Sequence, residues 1–258
     1  MPHTDNLVLG KGKLYFEEFA DGQTAPLGRY RFMGNVPTLT VNQETQTLDH
    51  FSSTGGIRIK DRSVTLQTDM GGQFTTDDMS AKNMALLFQG TEGADTIGAA
   101  TGLAETITGA SLDTYIQVGT TPSRPEGIAN LANVYLTVAT DTLVAGTDYD
   151  VDVGTGMVYL RDDAVDLAEG DNVVIHYGTA AGSRNRVADS TTEVYGALRF
   201  IADNPVGDNR DFVWPYVKVT ASGDLGFITE EWQTATFDFE VQKASTDSRR
   251  LVATTRYV

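Results

Sequence analysis

Apolar and polar residues alternate along much of this chain, and this period of two is the feature that most constrains its fold. Residues 237–242, for example, read Phe-Asp-Phe-Glu-Val-Gln. Because successive side chains of a β-strand point to opposite faces, this pattern predicts a strand with one buried face and one wet, acidic face. Comparable alternation recurs at residues 14–17, 38–42, 149–153 and 173–177. The sequence therefore predicts a mainly β protein.

A longer strand pattern over residues 57–70 changes parity part-way. Ile59 is at an odd-numbered position, whereas Val64 and Leu66 are at even-numbered positions, so the three side chains cannot lie on one face of a regular strand. A bulge or bend near residues 60–63 would reconcile the two halves, because an extra residue moves every later side chain to the other face. A strand of this kind can change sheets or curve into a barrel.

One helix is predicted, over residues 81–89. Ser80 precedes it as a candidate N-cap residue, and Met79 and Met84 have the spacing of a hydrophobic staple. Gly90 is a natural helix stop. We expect this helix to pack on a sheet.

We expect a single domain over residues 1–258. It contains a β-rich insert at about 104–180, which has its own small core. Within the insert, the turn Gly154-Thr155-Gly156 joins two strand patterns and predicts a hairpin. Residues 91–110 are rich in Gly, Ala and Thr. They indicate either a long loop, which in a compact domain is usually functional or mobile, or a weakly patterned hairpin arm. The sequence assigns no role to residues 91–132.

The charge balance argues against direct binding of nucleic-acid phosphates. The chain has 19 Lys and Arg against 35 Asp and Glu, for a formal net charge of -16. Binding phosphates needs cations. An acidic surface can instead keep a protein soluble, or let nucleic acid pass without adhering, since like charges repel over a Debye length of about 10 Å at 0.1 M salt.

The sequence also predicts a protein made in a cytoplasm and not inserted in a membrane. No apolar run approaches the roughly 20 residues that a spanning helix needs. The first residues are too polar for a signal peptide. The chain contains no cysteine, which excludes disulfides and thiolate metal sites.

No set of residues has the pattern of a catalytic site, so we expect a protein that is not an enzyme and has no cofactor. The histidines His3, His50 and His176 lack metal-ligand spacing to one another. His50 follows Asp49, but a lone pair of this kind is more often a contact at a sheet edge. The run of aspartates at 148, 150 and 152 does not match an EF-hand, because positions six and twelve hold valine and tyrosine. A looser calcium site there stays an alternative to the wet face of a strand.

The aromatic residues near the C-terminus are candidates for packing between subunits. Phe212, Trp214 and Tyr216 alternate with apolar residues of the opposite parity. A strand that is apolar on both faces is buried on both, either in a core or against another subunit.

Two blocks of the chain resemble tail tube (major tail) proteins of long-tailed, non-contractile bacteriophages. The first contains the steps Leu48-Asp49-His50-Phe51 and Phe74-Thr75-Thr76-Asp77, the latter leading into the predicted helix. The second begins at Tyr195-Gly196-Ala197-Leu198 and ends at Phe237-Asp238-Phe239. Residues 146–177 are similar to a hairpin that many such proteins insert between the halves. Order and spacing carry the resemblance, which covers most of the chain except residues 103–132.

The resemblance implies a β-sandwich or barrel of two packed antiparallel sheets with one short flanking helix. It further implies hexameric rings that stack into a hollow tube, a conduit for DNA ejection. The partners implied are other copies of the chain and other tail proteins, namely the tip or baseplate, the tape measure and the terminator. DNA would be a cargo that does not adhere. The implied location is the tail of the virion, after assembly in the host cytoplasm.

Carboxylates on or beside the long strands are the candidate lining of such a tube. Four are selected because of that position: Asp61, Asp69, Asp238 and Glu240. The residues can equally face outward to water. The competing hypothesis for the whole chain is a β-sandwich binding module, such as an adhesin or a carbohydrate-binding domain, which would be a monomer or small oligomer with affinity for a ligand.

Overall fold

The computed structural model describes residues 7–256 and confirms a mainly β fold with several antiparallel sheets and one short helix. The elements in chain order are β1 Gly12–Glu18, β2 Arg31–Phe32, β3 Thr38–Ser52, β4 Ile59–Thr76, α1 Ala81–Leu87, β5 Thr91–Ile97, β6 Ala100–Ile107, β7 Thr114–Gln117, β8 Leu131–Val138, β9 Asp141–Thr142, β10 Tyr149–Asp152, β11 Met157–Leu160, β12 Val173–Thr179, β13 Gly182–Ala188, β14 Val194–Ala202, β15 Arg210–Ser222, β16 Ala235–Val241 and β17 Val252–Thr255.

The described residues form two compact units. The first comprises residues up to Gly93 together with those from Arg186 onward, and the second is Ala94–Asn185. The second unit includes the range 104–180 that the sequence predicts as an insert. Strands β5 and β13, which contain the two boundaries, pair with each other.

The first unit is built on a single hydrogen-bonded path of strands, in the order β2-β1-β14-β15-β16-β4-β3, with β17 pairing with β15. This makes an eight-stranded sheet in which all neighbouring strands are antiparallel. Its core contains Phe16, Phe74 and Phe237, all fully buried. The rings of Phe74 and Phe237 stack with centroids 5.1 Å apart. Helix α1 contributes Leu86 to the same core.

The second unit has two further sheets, a four-stranded one in the order β6-β12-β8-β9 and a three-stranded one in the order β10-β11-β7. Its separate core includes Leu136, Val158, Leu160 and Ile175, each with no exposed surface. Residues 91–110, predicted as either a long loop or a hairpin arm, instead contain strands β5 and β6, which pair with β13 and β12 and not with each other.

The start of helix α1 differs in detail from the predicted cap. Ser80 occupies the N-cap position, but its side chain makes no capping hydrogen bond. Instead, the buried Asn83 donates to the carbonyl oxygens of Asp78 at 2.8 Å and Met33 at 3.3 Å. Its Oδ1 accepts a hydrogen bond from Arg31 at 2.5 Å. The amide therefore fixes the helix to its surroundings from within the core.

Candidate assembly surfaces

A long two-stranded ribbon extends from the sheet of the first unit. Strand β16 pairs with β4 only as far as Gly71, whereas β3 and β4 remain paired out to Ser52 and Ile59. We call residues 43–70, beyond that limit, the arm. Two-stranded ribbons are at best marginally stable alone in water, so an arm of this length indicates stabilisation by something else.

The arm contains the predicted bulge. The register shifts between His50 and Phe51, whose partners are Arg62 and Lys60, so Asp61 is the extra residue. This lies within the range 60–63 predicted from the change of parity. A second shift, between Gln46 and Thr47, is one that the sequence pattern did not indicate.

Large apolar side chains are exposed on both faces of the arm. Leu48 is 62% exposed and Phe51 40% exposed, and they lie three residues apart on one strand, so they point to opposite faces. The exposed apolar residues of the arm are Leu48, Phe51, Ile57, Ile59, Val64 and Leu66. Large apolar side chains exposed together on one segment are a common feature of interaction sites.

Three of the four predicted lining carboxylates lie together on one face of the sheet. Asp238 is paired with Gln73, Glu240 with Gly71, and Asp69 with Glu44, and these positions all share one parity of their strands. Glu44, which the sequence reasoning did not select, therefore joins the group. We call Glu44, Asp69, Asp238 and Glu240 the acidic face. All four line one open cleft of about 540 Å³.

None of the four residues of the acidic face forms an ion pair with any of residues 7–256. Gln73 donates to Asp238 at 2.9 Å, and Gln67 donates to Asp69 at 2.7 Å. Lys218 is directly opposite Glu240 in the register, but its ammonium lies 2.5 Å from Glu193. That hydrogen bond with Glu193 is the main reason that the pKa of Lys218 is raised. The face can therefore repel phosphate groups.

Asp61 does not belong to this face. It lies at the bulge of the arm and contacts Nδ1 of His50 at 2.6 Å. Eight strand residues separate it from Asp69, about 26 Å at the usual strand rise. Asp49, the sequence neighbour of His50, instead binds Lys60 and Ser63, each at 2.7 Å. The hydrogen bonds from Lys60 and then Ser63 lower the pKa of Asp49.

The predicted packing residues of β15 do not share one face. Trp214 is only 3% exposed and packs in the core of its own unit, where it contacts the ring of Phe239 edge-on at 5.8 Å. A register shift between β14 and β15 interrupts the alternation, so Tyr216 lies on the other side and stacks on Tyr195 at 5.5 Å. Phe212 stacks on Trp214 at 6.1 Å. This corrects the alternation read from the sequence, and contact of these residues with another subunit stays a prediction.

The aspartates at 148, 150 and 152 have separate partners. The buried Asp148 accepts backbone hydrogen bonds from Val144 at 2.7 Å and from Val165 and Asp166 at 2.9 Å. Asp150 pairs with Arg161 at 3.0 Å, and Asp152 accepts from the amide of Gly154 at 2.9 Å. Within residues 7–256, no group of three or more acidic or histidine side chains is arranged to hold a metal ion.

The histidines within the described residues have ordinary contacts, and His3 lies outside those residues. The ring of His176 stacks on Tyr135 with centroids 4.5 Å apart and approaches the hydroxyl of Thr137 at 3.2 Å. Within the part of the chain that the structure describes, no helix has the length and apolar character needed to cross a bilayer.

The connection between β15 and β16 is a surface that the sequence reasoning missed. Three large apolar side chains there are almost entirely solvent-exposed: Phe227 at 75%, Ile228 at 101% and Trp232 at 93%. We call residues 223–234 the acidic loop, because it carries Asp224, Glu230 and Glu231 and no cation. The juxtaposition of Glu230-Glu231 with a tryptophan was visible in the sequence, but exposure of the ring was not.

Comparison with known proteins gives one family. Residues 7–252 match the family described as Protein of unknown function UCP028589. The chain belongs to this family. A search of curated proteins gives no significant match. Membership shows that almost the whole chain, including the arm, both cores and the acidic loop, falls within one family region.

Proposed function

We propose that this member of the UCP028589 family is a structural subunit that assembles with copies of itself into a hollow tube. The tube is of the kind formed by the phage tail tube proteins that its sequence resembles. In this role the chain has no catalytic site, and its location is the tail of a virion. Its other partners are the tail proteins at the ends and in the lumen of the tube.

The observation that carries this proposal is the arm. Its six large apolar side chains are exposed by 40% to 79% on a two-stranded ribbon. Burying such side chains contributes about 1.5–3 kcal/mol each when burial is complete. A monomer forgoes this stabilisation, whereas a neighbouring subunit that covers the arm supplies it. The arm is also part of the fold rather than an appendage, because its strands continue into the core sheet.

The acidic face supports the further proposal that the tube conducts DNA. Four carboxylates share one face and one open cleft, without an ion pair to a described residue. Placing them on the lumen would repel phosphates and keep the DNA from adhering. Carboxylates close together on a sheet disfavour one another, so a functional reason for the grouping is expected.

A binding module remains the second candidate, and the second unit carries the observation that favours it. The ring of Tyr115 is 67% exposed and stacks on Tyr159 with centroids 4.6 Å apart. Exposed aromatic rings are frequent contact residues at binding surfaces. This hypothesis expects a monomer at all concentrations, with ligand affinity that is lost in Tyr115→Ala.

The test is assembly of the purified protein, followed by negative-stain electron microscopy and sedimentation velocity over a range of concentrations. We expect rings or hollow tubes for the wild type. The variant with Leu48→Ser, Ile57→Ser and Leu66→Ser is expected to stay monomeric. The matched control, Val144→Ser with Val153→Ser and Val165→Ser, removes three side chains of the second unit that are 51% to 74% exposed, and it should assemble.

The outcomes separate the candidates. Equal assembly of both triple variants would show that the arm is not an assembly surface. A wild-type protein that sediments as a monomer at every concentration, also when preformed tail tips are added as nuclei, would contradict the tube and favour the binding module.

A further inference from the structure

We infer that the tip of the arm of one copy docks on the acidic loop of the next copy. This inference rests on the proposed self-assembly and names the two surfaces that make the contact. The arm tip is residues 50–62, the far end of the β3–β4 hairpin with its connecting turn. The acidic loop is residues 223–234, between β15 and β16.

The two surfaces have opposite charge. The arm tip carries Arg58, Lys60 and Arg62. Lys60 pairs with Asp49 just outside the tip, and Asp61 is the one carboxylate within it, so the region keeps a positive excess on a chain whose net charge is -16. Arg62 is exposed and forms no ion pair with any of residues 7–256. The acidic loop has three carboxylates and no cation. Complementary charges of this kind steer association and fix the register of a contact.

The two surfaces also match in their apolar groups. The arm tip offers Ile57, 79% exposed, and Ile59, 66% exposed. The acidic loop offers Trp232 and Phe227, which line an open cleft of about 510 Å³ together with Met79. Aromatic rings bind guanidinium and ammonium groups on their faces as well as aliphatic side chains, and exposed tryptophan is frequent among the residues that dominate binding energy.

Arg58 already shows the contact that this pairing would use. Its guanidinium carbon lies 5.3 Å from the centroid of the Phe51 ring in the same arm tip. The opposite side of a planar guanidinium stays available for a second aromatic ring. Docking beside Trp232 would place the guanidinium of Arg58 between the rings of Phe51 and Trp232.

The contact must join different copies, because the two surfaces lie at opposite ends of the same strand. The acidic loop leads into Ala235, which pairs with Thr76, the last residue of β4. The arm tip contains Ile59, which is the first residue of β4. At the usual rise of a strand, these ends are about 55 Å apart. Paired strands cannot fold back over that distance, so the tip of one copy cannot reach its own loop.

A contact between two different surfaces of identical copies is heterologous. Such contacts repeat from copy to copy and close into a ring or continue as a filament. Each copy in the assembly then uses its tip once and its loop once. The arrangement explains why the charge and the apolar groups of both surfaces are left exposed in a single chain.

The first test is cross-linking with a short bismaleimide. The chain has no cysteine, so the variants Ile57→Cys and Ile228→Cys each carry a single thiol. We expect a covalent dimer when the two variants are mixed and much less when each is treated alone. The matched control mixes Ile57→Cys with Val165→Cys, whose parent side chain is 74% exposed in the second unit. Equal yields in the two mixtures would overturn the inference.

The second test is charge reversal at both surfaces. Arg58→Glu with Arg62→Glu, or Glu230→Lys with Glu231→Lys, should each weaken self-association by about tenfold or more, because like charges then meet. Combining all four changes in one chain should restore assembly. Restoration separates loss of the contact from loss of folding, and failure to restore would contradict direct pairing.

The outcomes distinguish this inference from the proposed function. Tubes that form normally without the specific cross-link would leave the tube proposal intact and overturn the pairing. A specific cross-link in a protein that forms no tubes would support the pairing and contradict the tube. A protein that neither cross-links nor assembles would overturn both.

Discussion

At the scale of single residues, the surroundings of each carboxylate decide what it does. Glu17 is buried and accepts backbone hydrogen bonds from Leu27 at 2.6 Å and Gly28 at 2.9 Å, so it holds the segment between β1 and β2. Asp148 does the same for two loops of the second unit. Within residues 7–256, the carboxylates of the acidic face have no such backbone donors, and all four are exposed to solvent.

We expect Asp148→Ala to destabilise the protein strongly. The change leaves the backbone amides of Val144, Val165 and Asp166 without their acceptor inside a buried loop. Buried donors without partners cost about 1–3 kcal/mol each, so a loss of about 3 kcal/mol or more is expected. Urea unfolding followed by circular dichroism measures it. Asp162→Ala, at an exposed neighbouring position, is the control and should change the free energy of unfolding little.

The same residue should make stability depend on acid. Burial alone would raise the pKa of Asp148, but the hydrogen bonds from Asp166, Val144 and Val165 outweigh it and hold the pKa below the usual value. A lowered folded-state pKa means that the stabilisation is complete above the unfolded pKa, about 3.9, and is lost as pH falls through the folded-state pKa. Asp148→Asn should therefore flatten this part of the stability profile below about pH 4. An unchanged slope would contradict the assignment.

At the scale of elements, β4 is the strand that gives the first unit its shape. It pairs with β16 in the core sheet and continues into the arm, and a glycine marks the region where the two parts meet. A side chain on Gly72 would clash with the carbonyl oxygen of Thr40 in β3 and would begin 2.7 Å from the ring of Phe239, which is buried in the core. The backbone of the neighbouring strand and the ring therefore occupy the space that any other residue would need.

Gly72→Val should therefore destabilise the first unit, because the added side chain meets both the backbone of Thr40 and the ring of Phe239. Overpacking of a filled core costs typically about 1–3 kcal/mol. Gly55→Val is the matched control, because a side chain there meets no atom within 4 Å. Thermal unfolding of the two variants beside the wild type gives the comparison. Equal midpoints would show that the sheet adjusts around the added side chain.

The sequence predicted elements where one physical rule acts alone, and it failed where two compete. Helix α1 and the bulge at Asp61 follow from periodicity and parity. The irregularity beside Trp214 did not, because apolar residues of both parities hide a change of face. Predicting the acidic face requires the register between β3, β4 and β16, which the pattern of a single strand does not contain. Glu44 was therefore not predicted as part of this face.

At the scale of the whole molecule, the chain is two units with separate cores. The second unit, Ala94–Asn185, encloses its own cluster of buried side chains, among them Leu160 and Ile175. A core of this kind is the requirement for independent folding. The surfaces proposed for assembly, the arm and the acidic loop, both belong to the first unit.

We expect a fragment comprising residues 94–185 to fold alone. It should unfold cooperatively in urea. Leu160→Ala should lower its free energy of unfolding by about 2–5 kcal/mol, because that side chain is fully buried. Replacing the exposed Val165 by alanine is the control. A fragment without a cooperative transition would show that the second core depends on the rest of the chain.

The acidic face gives a prediction for the assembled protein. We expect tubes of the variant with Asp238→Lys and Glu240→Lys to bind DNA, whereas wild-type tubes should not. The affinity of the variant for DNA should fall steeply as salt is added. Asp141→Lys with Asp162→Lys makes the same change of charge in the second unit. Nuclease digestion distinguishes DNA held inside a tube from DNA on its surface. Equal protection in both variants would remove these residues from the lumen.

Placement of the arm tip and the acidic loop at opposite ends of one strand has a consequence for growth. A filament built through that contact has two chemically different termini. One presents unoccupied aliphatic and cationic groups, and the other presents unoccupied aromatic rings and carboxylates. A protein that starts such a filament docks on one terminus and a protein that stops it docks on the other, so their two docking sites must carry charges of opposite sign. The direction of growth is therefore a property of the single subunit.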